Sequence, residues 1–144
     1  MTSIGDSAFY GCAQLASIII PDSVTSIGDD AFYNCYSLTS IVIPNSVTHI
    51  GSNAFRACYS LTKVVIPNSI TYIGYAVFEA CSSLTEVVIP ESVTSIGYSA
   101  FNHCRSLTSI KYCGSETQWN AISKESSWNM DTGSYTITYN YNGE

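Results

Sequence analysis

Apolar positions recur along this chain in blocks of fixed length. The stretch CYSLTSIVIP, Cys35 to Pro44, returns as CYSLTKVVIP from Cys58 to Pro67, 23 residues later. Five copies open at Ile4, Ile27, Ile50, Ile73 and Ile96 and share the pattern I-G-x-x-A-F-x-x-C-x-x-L-x-x-I/V-x-I-P-x-S-V/I-T-x. Copy four places Val77 where the others have alanine, and copy five departs after Ile110, where KYCG replaces the strand end and its proline. One period held over five copies is the signature of a repeat array, in which each unit buries its apolar face only against its neighbours.

Each column of the repeat has a physical reading. In the strand segment, alternate side chains face opposite sides, so Ile41 and Ile43 point inward while Ser40 and Val42 point outward. Pro44 offers no N–H to a neighbouring coil and marks the end of the strand. Gly51 and its equivalents serve a turn or a close backbone approach. The segment Ser52 to Cys58 is too short for an independent helix and reads as a helical turn held by packing. Stacking the coils places Phe9, Phe32, Phe55, Phe78 and Phe101 in one column and Leu15, Leu38, Leu61, Leu84 and Leu107 in another. Burying each such side chain contributes about 1.5–3 kcal/mol.

The motif stops at Cys113. Residues 1–112 form the array of about five coils, and residues 113–144 form a C-terminal capping segment. Ser115 followed by Gln118 fits a capping box, predicting a short helix to about Ser123 with Trp119 and Ile122 on one face. Asp131-Thr132-Gly133 reads as a turn, and the alternation from Tyr135 to Tyr141 as a strand. Both tryptophans, Trp119 and Trp128, lie in this segment and serve to cover the last coil. The chain opens inside a repeat, with TSIG at Thr2 to Gly5 matching Thr25 to Gly28, which is the expectation for a piece of a longer protein.

Charge narrows the function classes. Three lysines and two arginines against a net charge of -6 cannot supply the basic patch that phosphate backbones require. No apolar run approaches the roughly 20 residues of a membrane-spanning helix, and Met1-Thr2-Ser3-Ile4 carries no secretory leader pattern. The cysteines test for chemistry next. Cys12, Cys35, Cys58, Cys81 and Cys104 each follow a phenylalanine by three residues and stand one per coil, without the close pairs that metal sites use. Stacked about 4.8 Å apart with parallel side chains, they do not meet disulfide geometry; a buried column of small apolar residues accounts for them. Cys113 lies outside the column and is the thiol expected to be exposed. His103 beside Cys104 lacks the oriented base and third group of a nucleophilic site and reads as a solvated turn residue. Asp29-Asp30 fits the start of a helical turn, where negative charge is favourable. The sequence offers no catalytic set, no metal ligands and no cofactor motif, and the expectation is a non-enzymatic protein.

The pattern I-G-x-x-A-F-x-x-C-x-S-L-T-x-V-x-I-P-x-S-V-T closely resembles the BspA-like leucine-rich repeats of bacterial surface proteins, from Thr2 to about Lys111. Leu38, Ile41 and Ile43, like Leu61, Val64 and Ile66, keep the L-x-x-L-x-L rhythm of leucine-rich repeats. The tail, with Cys113-Gly114-Ser115 and Gln118-Trp119, looks like the module that often ends such arrays. The resemblance implies a right-handed leucine-rich-repeat solenoid of the α/β class, with one parallel β-sheet, short helical turns, much irregular chain and a small C-terminal cap. More loosely, it implies adhesion at the cell surface or after secretion, with extracellular or host proteins as partners; some relatives are associated with fibronectin or fibrinogen. No residue-level binding motif accompanies it.

The outward strand positions are where a partner is expected to sit. Ile19, Val42, Val65 and Val88 form a β-branched aliphatic column ending in Lys111, beside a second column that includes Ser40, Lys63 and Glu86. Tyr36 and Tyr59 precede the strands and could flank that face. An exposed apolar stripe marks a binding surface and tyrosine suits one, yet strand propensity selects the same residues without any partner. Two functions follow: a protein-binding module using this face, or a structural spacer or self-assembly element of a larger surface protein, whose uncapped first coil stacks on another copy or on upstream repeats.

Overall fold

The computed structural model describes residues 1–143 and winds them into a parallel β-solenoid of about six turns. In chain order the regular elements are β1 (Ser3–Ile4), β2 (Ser26–Ile27), β3 (His49–Ile50), β4 (Lys63–Val65), β5 (Tyr72–Ile73), β6 (Glu86–Ile89), β7 (Ser95–Ile96), β8 (Ser109–Tyr112), α1 (Glu116–Ala121), β9 (Ser123–Lys124) and β10 (Thr136–Thr138). Every strand pair is parallel and joins equivalent residues of adjacent coils, as in Ser26↔His49 and Val64↔Val87. The coils contribute strands at two corners, so the expectation of one sheet is corrected. The V-x-I strands make a face in the order β10-β8-β6-β4, extended towards the first coil by the bridge Ile19↔Val42. The T-x-I stretches make a second edge, divided into β1-β2-β3 and β5-β7-β9. Thr and Ile are β-branched and favour extended backbone, which the sequence shows at both corners.

The third corner is not helical, contrary to the reading of Ser52 to Cys58 as a helical turn. Two residues in each coil adopt left-handed backbone on either side of the phenylalanine. In coils two to five they are Asp30 and Asn34, Asn53 and Ala57, Ala76 and Ala80, then Ser99 and His103, with φ between 53 and 62°, and in the first coil Ser7 and Gly11. Asn and Asp tolerate that region, whereas alanine costs about 1–2 kcal/mol there. The kinks aim alternate N–H groups along the solenoid axis. Asp30, Phe32 and Asn34 donate to the carbonyls of Ser52, Ala54 and Arg56 at 2.9, 2.8 and 3.0 Å. A helix would have kept those bonds within one coil; this corner spends them on cohesion between coils. Asp29 is corrected with it, because its Oδ1 accepts the Ser52 amide at 2.7 Å instead of opening a helix. The close approach expected at the glycines is present: a Cβ on Gly28 would stand 2.6 Å from the Asp6 amide nitrogen, and one on Gly51 would stand 2.5 Å from that of Asp29.

The aromatic column stacks face to face. Centroids from Phe9 through Phe32, Phe55, Phe78 and Phe101 are 5.1, 5.2, 5.5 and 5.4 Å apart, with interplanar angles of 12° or less. Phe32 to Phe101 and Leu38 to Leu107 are fully buried, while Phe9 and Leu15, on the end coil, are only partly covered. Serine and threonine join the ladder too. Thr25, Thr48 and Thr94 donate their hydroxyls to the carbonyls of Thr2, Thr25 and Thr71, and Ser92 donates to Ile70 O at 2.7 Å.

The motif ends at Cys113, yet the winding continues. The Ser115 hydroxyl and the Gln118 side chain form the capping box of α1, and Trp119 and Ile122 are buried. The helix stops at Ala121 because Ile122 turns extended, with ψ of 128°, and β9 then pairs with β7. Trp128 sets its ring edge-on to Phe101 at 6.3 Å, so the phenylalanine stack ends on an indole. Of the strand expected from Tyr135 to Tyr141, Thr136–Thr138 pairs with β8.

Replacing Phe55 by alanine opens a hole between two rings and is expected to cost about 3–5 kcal/mol. Phe9→Ala, at the half-covered end, should cost less than half of that. Urea unfolding followed by circular dichroism measures both, and equal costs would show that the column is not a continuous stack.

Candidate functional site

The proposed outward column is graded along the axis. Ile19 is 92% exposed, Val42 78% and Val65 49%, but Val88 only 5%. Val88 is therefore removed from the open face. It lies in register between Val65 and Lys111. Lys111 Nζ is 3.0 Å from Glu86 Oε2 and 4.9 Å from the Tyr141 ring centre. Lys63 Nζ reaches Glu86 Oε1 at 2.9 Å. The hydrogen bond with Lys63 is the main cause that holds the Glu86 carboxyl below its ordinary range, and the same bond raises Lys63. Two lysines flank one carboxylate, so this end of the face is charged and internally ion-paired, while Ile19, Val42 and Val65 are open and apolar.

Ser40 is exposed beside Ile41. Tyr36 and Tyr59 stack on one another at 5.0 Å and 2° in the turns that lead into the strands, each still about two-fifths exposed or more. Each is the residue after a column cysteine, so stacking of the coils aligns them. Tyr141, which closes over Lys111, was not among the residues singled out from the sequence. Only the tyrosine alternation of the tail pointed to it, and its position depends on how β10 docks.

The sulfur column is a structural feature. Cys35, Cys58, Cys81 and Cys104 are fully buried, whereas Cys12 on the end coil is exposed. Each buried thiol donates to the phenylalanine carbonyl of the coil before it, at 3.1, 3.3, 3.2 and 3.1 Å to Phe9, Phe32, Phe55 and Phe78. Burial is the leading cause that pushes Cys35 up to about 11 and both Cys58 and Cys104 up to about 12. Thiols held neutral in this way are poor nucleophiles and poor metal ligands. Cys113 is half-buried, so its expected exposure is only partial. Among the described residues, no group of three or more His, Cys, Asp or Glu could hold a metal ion.

His103 is not simply solvated. Its Nδ1 lies 2.9 Å from Asp131 Oδ2, which also accepts from Arg105 Nε at 2.9 Å. The bonds from His103 and Arg105 lower the Asp131 carboxyl. The cluster ties the fifth coil to the tail.

At pH 8 a disulfide-exchange reagent should label Cys12 quickly and Cys113 slowly, and should reach the other four only when the chain unfolds. The raised thiols also set a sign for pH. Their contribution to stability is complete below the unfolded value near 9.0 and is lost as pH rises towards the folded values of about 11 and 12, because the unfolded chain releases its protons first. Unfolding midpoints that stay level from pH 9 to 11 would contradict this burial.

The BspA type leucine-rich repeat region matches residues 2–128 in six copies. Among solved structures, a Treponema pallidum leucine-rich repeat protein is 40% identical with a TM-score of 0.74, over 77% of this chain and 52% of its own. A leucine-rich cell surface protein of Faecalibacterium prausnitzii is 36% identical with a TM-score of 0.62, over 77% of this chain and 35% of its own. A leucine-rich repeat protein of Bacteroides ovatus is 27% identical with a TM-score of 0.71, over 96% of this chain and 40% of its own. The chain thus spans about half the length of the T. pallidum protein and less of the other two. None of the curated proteins matches it. A repeat model covering residues 2–128, joined to a stack whose cysteines, phenylalanines and leucines align coil upon coil, places the chain in the BspA-type leucine-rich repeat family.

Proposed function

We propose that this chain is a protein-binding module displayed at the cell surface, which captures an extracellular or host protein on the face around Val42. Its family implies the coarser role, a protein-interaction or structural module of a non-enzymatic kind. The observation that carries the finer reading is the exposure of Ile19, Val42 and Val65 in one column. Contiguous exposed apolar surface on a soluble fold marks an interaction site. Lys63 and Glu86 border it, and Tyr36 and Tyr59 supply rigid aromatic surface of the kind that interfaces favour. Surface display is supported by the F. prausnitzii relative, which is described as a cell surface protein.

The second reading is a spacer that self-associates through its first coil. Its support is an apolar concavity of about 300 Å³ at that end, lined by Ile4, Phe9, Ile18 and Ile20 among others. Light scattering separates the two, since a monomer at all concentrations removes self-stacking.

For the binding reading, Val42→Asp with Val65→Asp is the direct test, using immobilised fibronectin and fibrinogen as first probes. Both positions are exposed, so the pair should lower stability by at most about 1–2 kcal/mol. Binding to whichever probe the native chain holds should weaken at least about tenfold. Undiminished binding by a folded double variant, or failure of the native chain to hold either probe or any other matrix protein, counts against this face.

A further inference from the structure

Two cations of this chain are held in the same way. Arg56 stands in a column between Tyr33 of the coil before and Glu79 of the coil after. Its guanidinium carbon is 5.5 Å from the Tyr33 ring centre, and its Nε is 3.3 Å from Glu79 Oε2. Lys111 Nζ lies between Glu86, at 3.0 Å, and the Tyr141 ring, at 4.9 Å. In each case a carboxylate neutralises one side of the cation and an aromatic face covers the other.

One column of the second edge has the same flanking groups with no cation between them. Two residues after each opening isoleucine, the coils carry Asp6, Asp29, Ser52, Tyr75 and Tyr98. Tyr75 stacks on Tyr98 at 6.0 Å and 8°, which occupies one face of its ring and turns the other towards the Ser52 coil. On the far side of Ser52 the Asp29 carboxylate is fixed by a single oxygen, Oδ1, on the Ser52 amide at 2.7 Å. Asp29 and Tyr75 are exposed, and Ser52 is half-buried.

The ladder of the second edge is also interrupted at this place, while Asn53 N still donates to Tyr75 O at 3.0 Å. The second edge divides between β3 and β5, one on each side of this gap. A Cβ on Gly97 would meet the backbone of the previous coil at 3.0 Å, and those on Gly28 and Gly51 would meet it closer still. One on Gly74 would have its nearest neighbours in its own coil, Tyr72 at 3.3 Å and Val77 at 3.7 Å. From Asp29 to Tyr75 is two coil spacings, about 10 Å. A cation seated about 3 Å from a carboxylate and about 5 Å from a ring centre fits that span.

All three lysines and both arginines are engaged elsewhere. Arg56, Lys63 and Lys111 are paired as above, and Arg105 is bound to Asp131. Lys124 donates to Trp119 O at 2.8 Å and lies over the Trp119 ring. With a net charge of -6, the molecule attracts basic partners towards such a seat. We propose that Asp29, Ser52 and Tyr75 form a receptor for one lysine or arginine side chain of a partner polypeptide, in which the incoming cation completes the sandwich that Arg56 and Lys111 form internally.

The test is a nuclear magnetic resonance titration of the whole chain at pH 7.5 with N-acetyl-arginine methylamide, set against N-acetyl-norleucine methylamide and methyl glucoside. Saturable shifts should centre on the Ser52 amide and the Tyr75 ring. Asp29→Asn and Tyr75→Leu should each weaken the interaction about threefold or more, while Val42→Asp leaves it unchanged. That last arm separates failure of this seat from failure of the Val42 face. A second arm places the guanidinium internally: Ser52→Arg should raise Tm by about 2 °C, and the gain should vanish in the Asp29→Asn or Tyr75→Leu background. Shifts spread equally over Asp22, Glu91 and Glu116, an equal response to norleucine or to the glucoside, or no gain from Ser52→Arg would overturn the proposal.

Discussion

Hydrogen bonds that run between coils, and not within them, govern this molecule. Gly28 donates to Ile4 O, Thr48 to Thr25 O, Phe32 to Ala54 O and Phe55 to Val77 O, so backbone groups at every corner find partners one repeat away. A coil therefore satisfies its own polar groups only when a neighbour of the same shape lies against it. That constraint explains the fixed period. One inserted residue would shift every later amide off its carbonyl and every later side chain off its column. It also explains the composition, since Thr hydroxyls add a second bond to carbonyls already in the ladder, Ser hydroxyls bond further carbonyls of the coil before, and charged residues have few places to go. Even the four buried thiols conform, each donating to a carbonyl of the coil before it.

Much of this was legible in the sequence because a repeat is read many times over. The inward Ile41 and Ile43, the outward Val42, the phenylalanine column and the Ser115 capping box follow from period, alternation and local chemistry. Three features did not. The corner around Asn53 and Ala57 reads as a helical turn because its residues are short and helix-tolerant; left-handed backbone at alanine is visible only once the bonds to the next coil are counted. Val88 is buried in a strand that pairs with the divergent fifth coil, where Lys111 and Tyr141 meet, and no single repeat encodes that meeting. The sixth turn is hidden for a similar reason: Trp128 replaces the repeat's own core residues, so the motif disappears while the winding persists.

The same logic separates the surfaces. Where like residues stack, the column is a property of the fold, and its chemistry is muted; the sulfur column is the clearest case. Where the repeat diverges, the surface becomes individual. Lys63, Glu86 and Lys111 break the aliphatic column and close one end of the sheet face. Ser52 interrupts a row of carboxylates and tyrosines where the second edge divides. The places with capacity for recognition are these departures, set on a scaffold whose regularity fixes their spacing.

Removal of one entire repeat tests the central claim most directly. Deleting Gly51–Ile73 rejoins Ile50 to Gly74 with every column in register, whereas deleting Gly51–Tyr72 leaves one residue too many. Circular dichroism with urea unfolding should show a shorter but cooperatively folded solenoid for the first and a loss of cooperative folding for the second. Equal stability of the two, or collapse of the in-register deletion alone, would contradict an architecture held together by bonds from each coil to the next.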